Sequence, residues 1–415
     1  MSTDTSTTLN VTYCGLEQPV LMGRLALIKR QFFFEYSPQF LELGMELSPF
    51  KLPLTSGVIP CEERVFDGLF GLFNDSLPDG WGRLLLDRKL MEKGFHPNTL
   101  TPLDRLKYVG TQGMGALRYE PAFPPAAFQQ KSIELDLLAA ECLQFQVNEQ
   151  VEFIDDLLLM NGSSAGARPK ILVSIDPDTE LFQMTSNRSA DFHNDWIIKF
   201  CSSTDLQDSG PIEYAYHLMA KEAGLVIPEA RLFKTQKGNS YFGVKRFDRT
   251  EHTFIHAHTL SGLIHADHRI PSLDYEAILK VTYFLTKNIG ESEKQFRNSA
   301  FNVFAYNRDD HAKNFSFLMD KQGVWSVSPA YDLIFSNGPG GEHCTTVMGN
   351  GKNPGVSDLL KLATVAQIPL SKAHLIIDQV KEAISRWPLF SKEAGVTPQS
   401  TRAIHAQLLK TYLSC

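Results

Sequence analysis

Two polar loops joined by a short hairpin constrain this chain more than any other feature. Asn307-Arg308-Asp309-Asp310-His311-Ala312-Lys313-Asn314 is followed by FSFLMDKQGVWSVSPAYD, which ends at Asp332. The second segment reads as strand, turn at Lys321–Gly323, and strand, so the chain doubles back. That hairpin returns Asp332 to the side of Asn314. An amide oxygen and a carboxylate brought together are hard ligands, suited to Mg²⁺ bridging the phosphates of ATP. Asp309, five positions before Asn314, is then placed to accept the proton of an incoming hydroxyl.

Three upstream features supply what an ATP site still needs. Lys199 lies in the apolar strand WIIKF, and Glu213 follows early in the next helix, where it can pair with that lysine. The loop 161–167 carries Gly162 and Gly166 among small residues and can bring backbone N–H groups to phosphate. Tyr241–Phe247 is a connector whose backbone would meet adenine. Taken singly, each has an ordinary explanation: a flexible loop, an ion-paired lysine, a glutamate favoured by a helix dipole, an acidic pair that caps a helix. The order carries the information. Small-residue loop, strand lysine, helix glutamate, connector, Asp-x4-Asn and hairpin aspartate are the successive parts of a protein kinase.

The remaining sequence fits a large folded protein. Among 415 residues, 40 Lys and Arg against 47 Asp and Glu give a net charge of −7, which argues against nucleic-acid binding by overall charge. Apolar residues at 43% and charged residues at 21% exclude general disorder. Six cysteines stand without a CxxC spacing and read as reduced thiols. The start, MSTDTSTTLN, is polar, and no apolar run is long enough to span a bilayer. A cytoplasmic protein without membrane contact is expected.

The organisation expected is α+β. Residues 1 to about 12 read as a loose tail, and Val20–Tyr36 as a hairpin turning at Lys29–Gln31. Pro78-Asp79-Gly80 turns into a helix beginning WGRLLLDRKL. Phe32 and Phe34 alternate as in a half-buried strand. A proline-rich joint (PAFPPAAF) follows at 121–128. Helices are expected over 275–286, 291–307, 374–387 and 399–413. The divisions drawn are 1–125 for an amino-terminal β-rich subdomain, 126–247 for a kinase-like amino lobe, and 248–415 for a helical carboxyl lobe.

The stretches FNDSLPDGWGRLLLDR (73–88), SSAGARPK (163–170), WIIKF (196–200), GVKRFDR (243–249), DDHAKNFSF (309–317) and SPAYDL (328–333) resemble, in order, those of the HipA family. These are the serine/threonine-kinase toxins of bacterial toxin–antitoxin pairs. The resemblance covers about residues 18 to 390. It implies a two-lobed protein-kinase-like fold with an added amino-terminal subdomain. It implies Asp309 as catalytic base, Asn314 and Asp332 as Mg²⁺ ligands, and Lys199 on the phosphates. Ala165, Gly166, Ala167, Arg168, Pro169 and Lys170 would border ATP, as would Lys245, Arg246 and Phe247. His311, Ala312, Lys313, Asn314 and Tyr331 would complete that pocket.

Ser163, or its neighbour Ser164, falls where the family carries an autophosphorylated serine; the added charge there would repel the γ-phosphate. A helix-turn-helix antitoxin of the HipB type is the implied partner, so DNA would be reached only indirectly. An aminoacyl-tRNA synthetase such as glutamate–tRNA ligase is the implied protein substrate. Arg168-Pro169 and Asp310 depart from the family pattern. Asp310 sets a second carboxylate near the base, with consequences for its pKa or for the metal count.

Two other readings stay open on the residues. One is a catalytically silent, kinase-shaped co-repressor that works with a DNA-binding antitoxin. The other is a small-molecule kinase sharing the lobe plan. His252, His256, His258, His265 and His268 have spacings that can bind zinc, but they are expected in a loop outside the ATP site. Ser261 lacks a nucleophile elbow, and SSAGARPK is no P-loop.

Overall fold

A computed structural model describes residues 7–92, 94, 96, 99–123, 133–147, 154–161, 166–176, 178–184, 194–250 and 253–413. Within them, three apolar cores are assembled around four sheets, the smallest of two short strands, and a helical bundle.

The first sheet has five antiparallel strands: Val58–Pro60, Gln31–Tyr36, Val20–Ile28, Thr7–Tyr13 and Leu117–Glu120, in that spatial order. The tail expected at the amino terminus is instead, from Thr7, an inner strand. Its sequence TTLNVTY alternates, and Leu9, Val11 and Tyr13 are completely buried while Thr8 and Asn10 face out. That period-two pattern suits a strand with one buried face, and its backbone pairs on both edges. Phe32 and Phe34 point into the core as expected, and Phe33 is half-buried. The turn between the second and third strands uses Lys29 and Arg30, both at positive φ, which matches the twist of a tight hairpin.

The second sheet is also antiparallel: Phe182–Met184, Lys170–Ile175, Asp195–Lys199, Ser240–Lys245 and Ala230–Lys234. Its core takes in helices Leu135–Gln146 and Ile154–Asn161, and also helix Gly80–Glu92 from the preceding segment. Trp81, Leu85, Leu86 and Leu90 are the buried apolar side chains of that last helix; Leu84 faces solvent. Helix Ser209–Glu222 lies against strand Ser240–Lys245, yet its apolar face belongs to the carboxyl-terminal core. Tyr216 Oη, for example, donates to Ala305 O at 2.7 Å. This helix therefore bridges the two lobes and fixes Glu213 between them.

The carboxyl lobe packs helices Tyr275–Thr286, Ile289–Phe304, Val356–Val365, Leu370–Ser385, Trp387–Ala394 and Pro398–Leu413. The expected hairpin is present as Ser316–Met319 and Trp325–Val327, with His256–Thr259 as third strand. So His256 and His258 lie on a strand rather than in a loop, while His265 and His268 follow the short helix Leu260–Ile264. Alternation again explains the strand: His256 and His258 are buried, at 1% exposure each. The five described cysteines are free thiols. Among the described residues no helix is long and apolar enough to cross a membrane.

Candidate active site

Strand Asp195–Lys199 and helix Ser209–Glu222 converge on one ion cluster. Lys199 Nζ lies 2.5 Å from Glu213 Oε1 and 2.5 Å from Asp332 Oδ1. Burial works against the Lys199 charge, but the two carboxylates outweigh it and hold the ammonium above its ordinary range. The Lys199 charge in turn holds Asp332 well below the usual carboxylate range. Asp332 adopts φ 57°, a left-handed conformation that aspartate tolerates better than most residues. Strand, helix and hairpin loop thus present three charges from three distant stretches, two of them already paired by sequence order.

On the facing side, Asn314 Nδ2 donates to Asp309 O at 2.6 Å. This bond closes the loop over a short 3₁₀ turn, Ala312–Asn314. Asp309 is exposed. Desolvation by the surrounding protein raises its pKa, His311 and Arg168 oppose the shift, and Asp332 and Asp310 add to it. Asp310 behaves differently from expectation. Its carboxylate points into the lobe, accepting from Tyr275 Oη at 2.8 Å, Thr345 N at 3.2 Å and His343 Nδ1 at 2.9 Å. It is an anchor for the loop, with its oxygens spent on protein donors, so it does not add a metal ligand. Its charge still acts on Asp309.

A cleft of about 340 Å³ joins these groups, within the range of small-molecule sites. Gly166, Ala167, Lys170, Lys199, Glu213, Lys245, Arg246, Phe247, His311, Lys313, Asn314, Tyr331 and Asp332 line it. Asp309, Ala312, Arg168 and Pro169 stand outside that lining. Ser163, Ser164 and Ala165 lie outside the described residues, as does His252. Arg168 reaches Asp205 at 3.0 Å and Glu213 at 4.0 Å. Burial pushes the Lys170 ammonium down to about 8, and the neighbouring Lys199 charge pushes the same way.

Several lining side chains are held by protein partners. Arg246 makes a two-pronged pair with Asp248 at 2.9 and 2.7 Å. Arg249 bonds the same aspartate and the carbonyls of Gly113 and Gly115. This fixes the connector to the amino-terminal module, and the Arg246 guanidinium is taken up by Asp248. Lys245 Nζ pairs with Glu229 at 3.6 Å. Tyr331 Oη donates to Lys313 O at 2.5 Å and sets its ring 5.5 Å from that of Phe247. Apolar walls come from Ile197, Val244, Phe242 and Leu333.

The histidines are inter-module ties. His256 Nε2 meets Leu47 O at 2.9 Å, and His265 joins Glu63 Oε2 and Gly71 N at 2.9 Å each. Ser48, His258 and Asp75 stand in a row, with contacts of 3.0 and 2.6 Å. The arrangement has the order of a hydrolase triad, but Ser48 is completely buried, and Asp75 also accepts two bonds from Thr259. A nucleophile sealed in a core cannot meet a substrate. His256, His258 and His268 do line the cleft, which corrects the expectation that the cluster lies apart from it.

Sequence reasoning missed Asp79. It enters the cleft from the amino-terminal module, where it pairs with Lys313 Nζ and accepts from Gly166 N. The motif that contains it, FNDSLPDGWGRLLLDR, was visible; its reach across 234 positions to Lys313 was not.

Comparison with known proteins gives matches along most of the chain. The model of the HipA-like C-terminal domain matches residues 162–387, and that of the HipA N-terminal domain matches residues 17–120. A putative kinase, Y4dM, of Sinorhizobium fredii is 25% identical over 209 residues, which is 46% of this chain and 50% of that protein. The chain thus spans about half the length of the curated relative it matches. Among solved structures, HipA of Shewanella oneidensis MR-1, determined with HipB and its operator DNA, superposes with a TM-score of 0.68. That likeness covers 98% of this chain and 96% of the other at 16% identity, and shows a shared two-lobed fold. The Helicobacter pylori proinflammatory kinase CtkA gives a TM-score of 0.33 at 14% identity, over 59% of this chain and 98% of that one.

Proposed function

The chain belongs to the HipA family, and from that premise we propose that it is an ATP-dependent kinase that phosphorylates a serine or threonine of a protein. Lys199 carries this assignment: it is held by Glu213 and Asp332 in a cleft whose other wall is the Asp309–Asn314 loop.

ATP is the substrate. Lys199 and Lys170 meet its phosphates, and the apolar walls with the Lys245–Phe247 backbone receive adenine. In the transfer, Asp309 takes the proton of the attacking hydroxyl. The hydroxyl oxygen bonds to the γ-phosphorus, the bond to the β–γ bridging oxygen breaks, and ADP leaves. A raised Asp309 pKa makes it a better proton acceptor than an ordinary aspartate.

The donors fit Mg²⁺. Asp332 spends Oδ1 on Lys199, and Asn314 spends Nδ2 on Asp309 O, which leaves a carboxylate and an amide oxygen for a hard cation. When bound, the ion supplies charge neutralisation at the phosphates.

Membership of this family supports a toxin–antitoxin setting, with a HipB-like helix-turn-helix protein as partner and operator DNA contacted through it. Autophosphorylation would fall on Ser163 or Ser164. Intact-mass spectrometry after incubation with Mg²⁺ and ATP tests the activity, with glutamate–tRNA ligase added as a candidate acceptor. An added phosphate on the wild type or the acceptor, absent with Asp309→Gln, is expected. No addition under any metal would leave a silent co-repressor as the better description. Rapid turnover on a metabolite and none on protein would instead identify a small-molecule kinase.

A further inference from the structure

Asp79 immediately precedes helix Gly80–Glu92, where a carboxylate ordinarily caps the exposed N–H groups of its own helix. Among the described residues, neither oxygen of Asp79 does so. Oδ1 accepts from Gly166 N, in the small-residue loop, and Oδ2 pairs with Lys313 Nζ, in the loop that also carries Asp309 and Asn314.

The turn around it is built for this contact. Gly80 stands at φ +42°, and a Cβ there would lie 2.7 Å from Gly166 O and 2.8 Å from Ala167 Cα. No larger residue permits the approach. Trp81 N then donates to Gly166 O at 3.1 Å. Of the two partners Lys313 is buried, its side chain 8% exposed. A cation so placed needs a fixed counter-charge, and Asp79 is the carboxylate it meets.

We propose that Asp79 is a positioning residue for phosphoryl transfer, supplied by the amino-terminal module to hold Lys313 and the Gly166 loop in one arrangement. The inference rests on the kinase reading above. It makes the module a working part of the transfer site rather than an attachment to it. The carboxylate serves two elements that must act on the same phosphate chain, so its loss frees both.

The two contacts can be separated. Asp79→Asn keeps an oxygen for Gly166 N–H and removes the counter-charge facing Lys313, whereas Asp79→Ala removes both. For Asp79→Asn, kcat of phosphoryl transfer is expected to fall about 10- to 100-fold, the range for a misplaced catalytic group, with the KM for ATP little changed. Asp79→Ala should in addition weaken binding of a non-hydrolysable ATP analogue. Lys313→Met should lower kcat by a similar factor, and the double variant Asp79→Asn/Lys313→Met should fall no further. Asp79→Glu, which retains the charge, should recover part of kcat, and melting curves on every variant confirm that each is folded.

An active wild type whose kcat is indifferent to Asp79→Asn would overturn this inference alone. So would losses that multiply independently in the double variant. A wild type that binds the analogue yet transfers no phosphate would overturn the kinase reading itself.

Discussion

Replacing Lys199 by Met removes the cation from a site whose anions stay behind. Glu213 is 4% exposed. Without Lys199 it faces Asp332, with Arg168 Nη1 at 4.0 Å and the nearby Lys170 charge as remaining cations. Breaking one partner out of a buried pair costs about 3–5 kcal/mol. The lower end applies here, because the Asp332 side chain is 38% exposed and Arg168 is retained. About 3 kcal/mol lowers the melting temperature of a 415-residue body that unfolds as one unit by roughly 3–4 °C, at about 2.1 cal/mol/K of unfolding entropy per residue.

The deficit depends on pH, and its sign follows from Glu213. Burial already raises this carboxyl, and the Lys199 charge opposes that rise. Removing the lysine moves the folded-state value further above the unfolded one of about 4.3. The folded variant then holds a proton that the unfolded chain releases. Its penalty is absent below the unfolded value and grows as pH rises toward the folded value. Melting measured by fluorescence at about pH 5 and about pH 8 should therefore show the Lys199→Met deficit widening with pH. Lys199→Met/Glu213→Gln should regain about half of the loss at the higher pH and flatten the dependence, since a neutral amide needs no counter-charge. A deficit equal at both pH values, or deepened by Glu213→Gln, would refute the cluster as described.

Two further outcomes follow from neighbouring groups. Asp310→Ala should destabilise the carboxyl lobe by about 3 kcal/mol or more, because it strands the donors of Tyr275, His343 and Thr345 in the interior; thermal melting checks it. Cys344 should resist iodoacetamide at neutral pH, since burial, then Asp309 and Asp310, push its thiol up to about 12 and a thiolate is the reactive form; peptide mapping after labelling of the folded protein reads this directly.

The strip from Asp309 to Asp332 was legible because its logic is local: a fixed spacing, and a turn at Lys321–Gly323 between two short strands. The pairing of Lys199 with Glu213 was legible from order, since strand and helix are consecutive and Lys199 reaches only 14 positions. Other features hid for physical reasons. Thr7–Tyr13 looked like a tail because its threonines and asparagine are polar, although Leu9, Val11 and Tyr13 marked the inward face. His256 and His258 looked like loop residues because a buried histidine is identified by its partners, here Leu47, Ser48 and Asp75, about 200 positions away. Asp310 appeared to be a second active-site carboxylate because spacing does not reveal that one member of an Asp-Asp pair turns inward. Asp79 read as a turn residue, and nothing local to it announced Lys313.

Anomalous diffraction from a crystal grown with Mn²⁺ and a non-hydrolysable ATP analogue tests the central claim most directly. The account predicts a metal peak within coordinating distance of Asp332 and Asn314, with the analogue's phosphates between it and Lys199. A cleft without nucleotide, or a metal bound away from that pair, would contradict it.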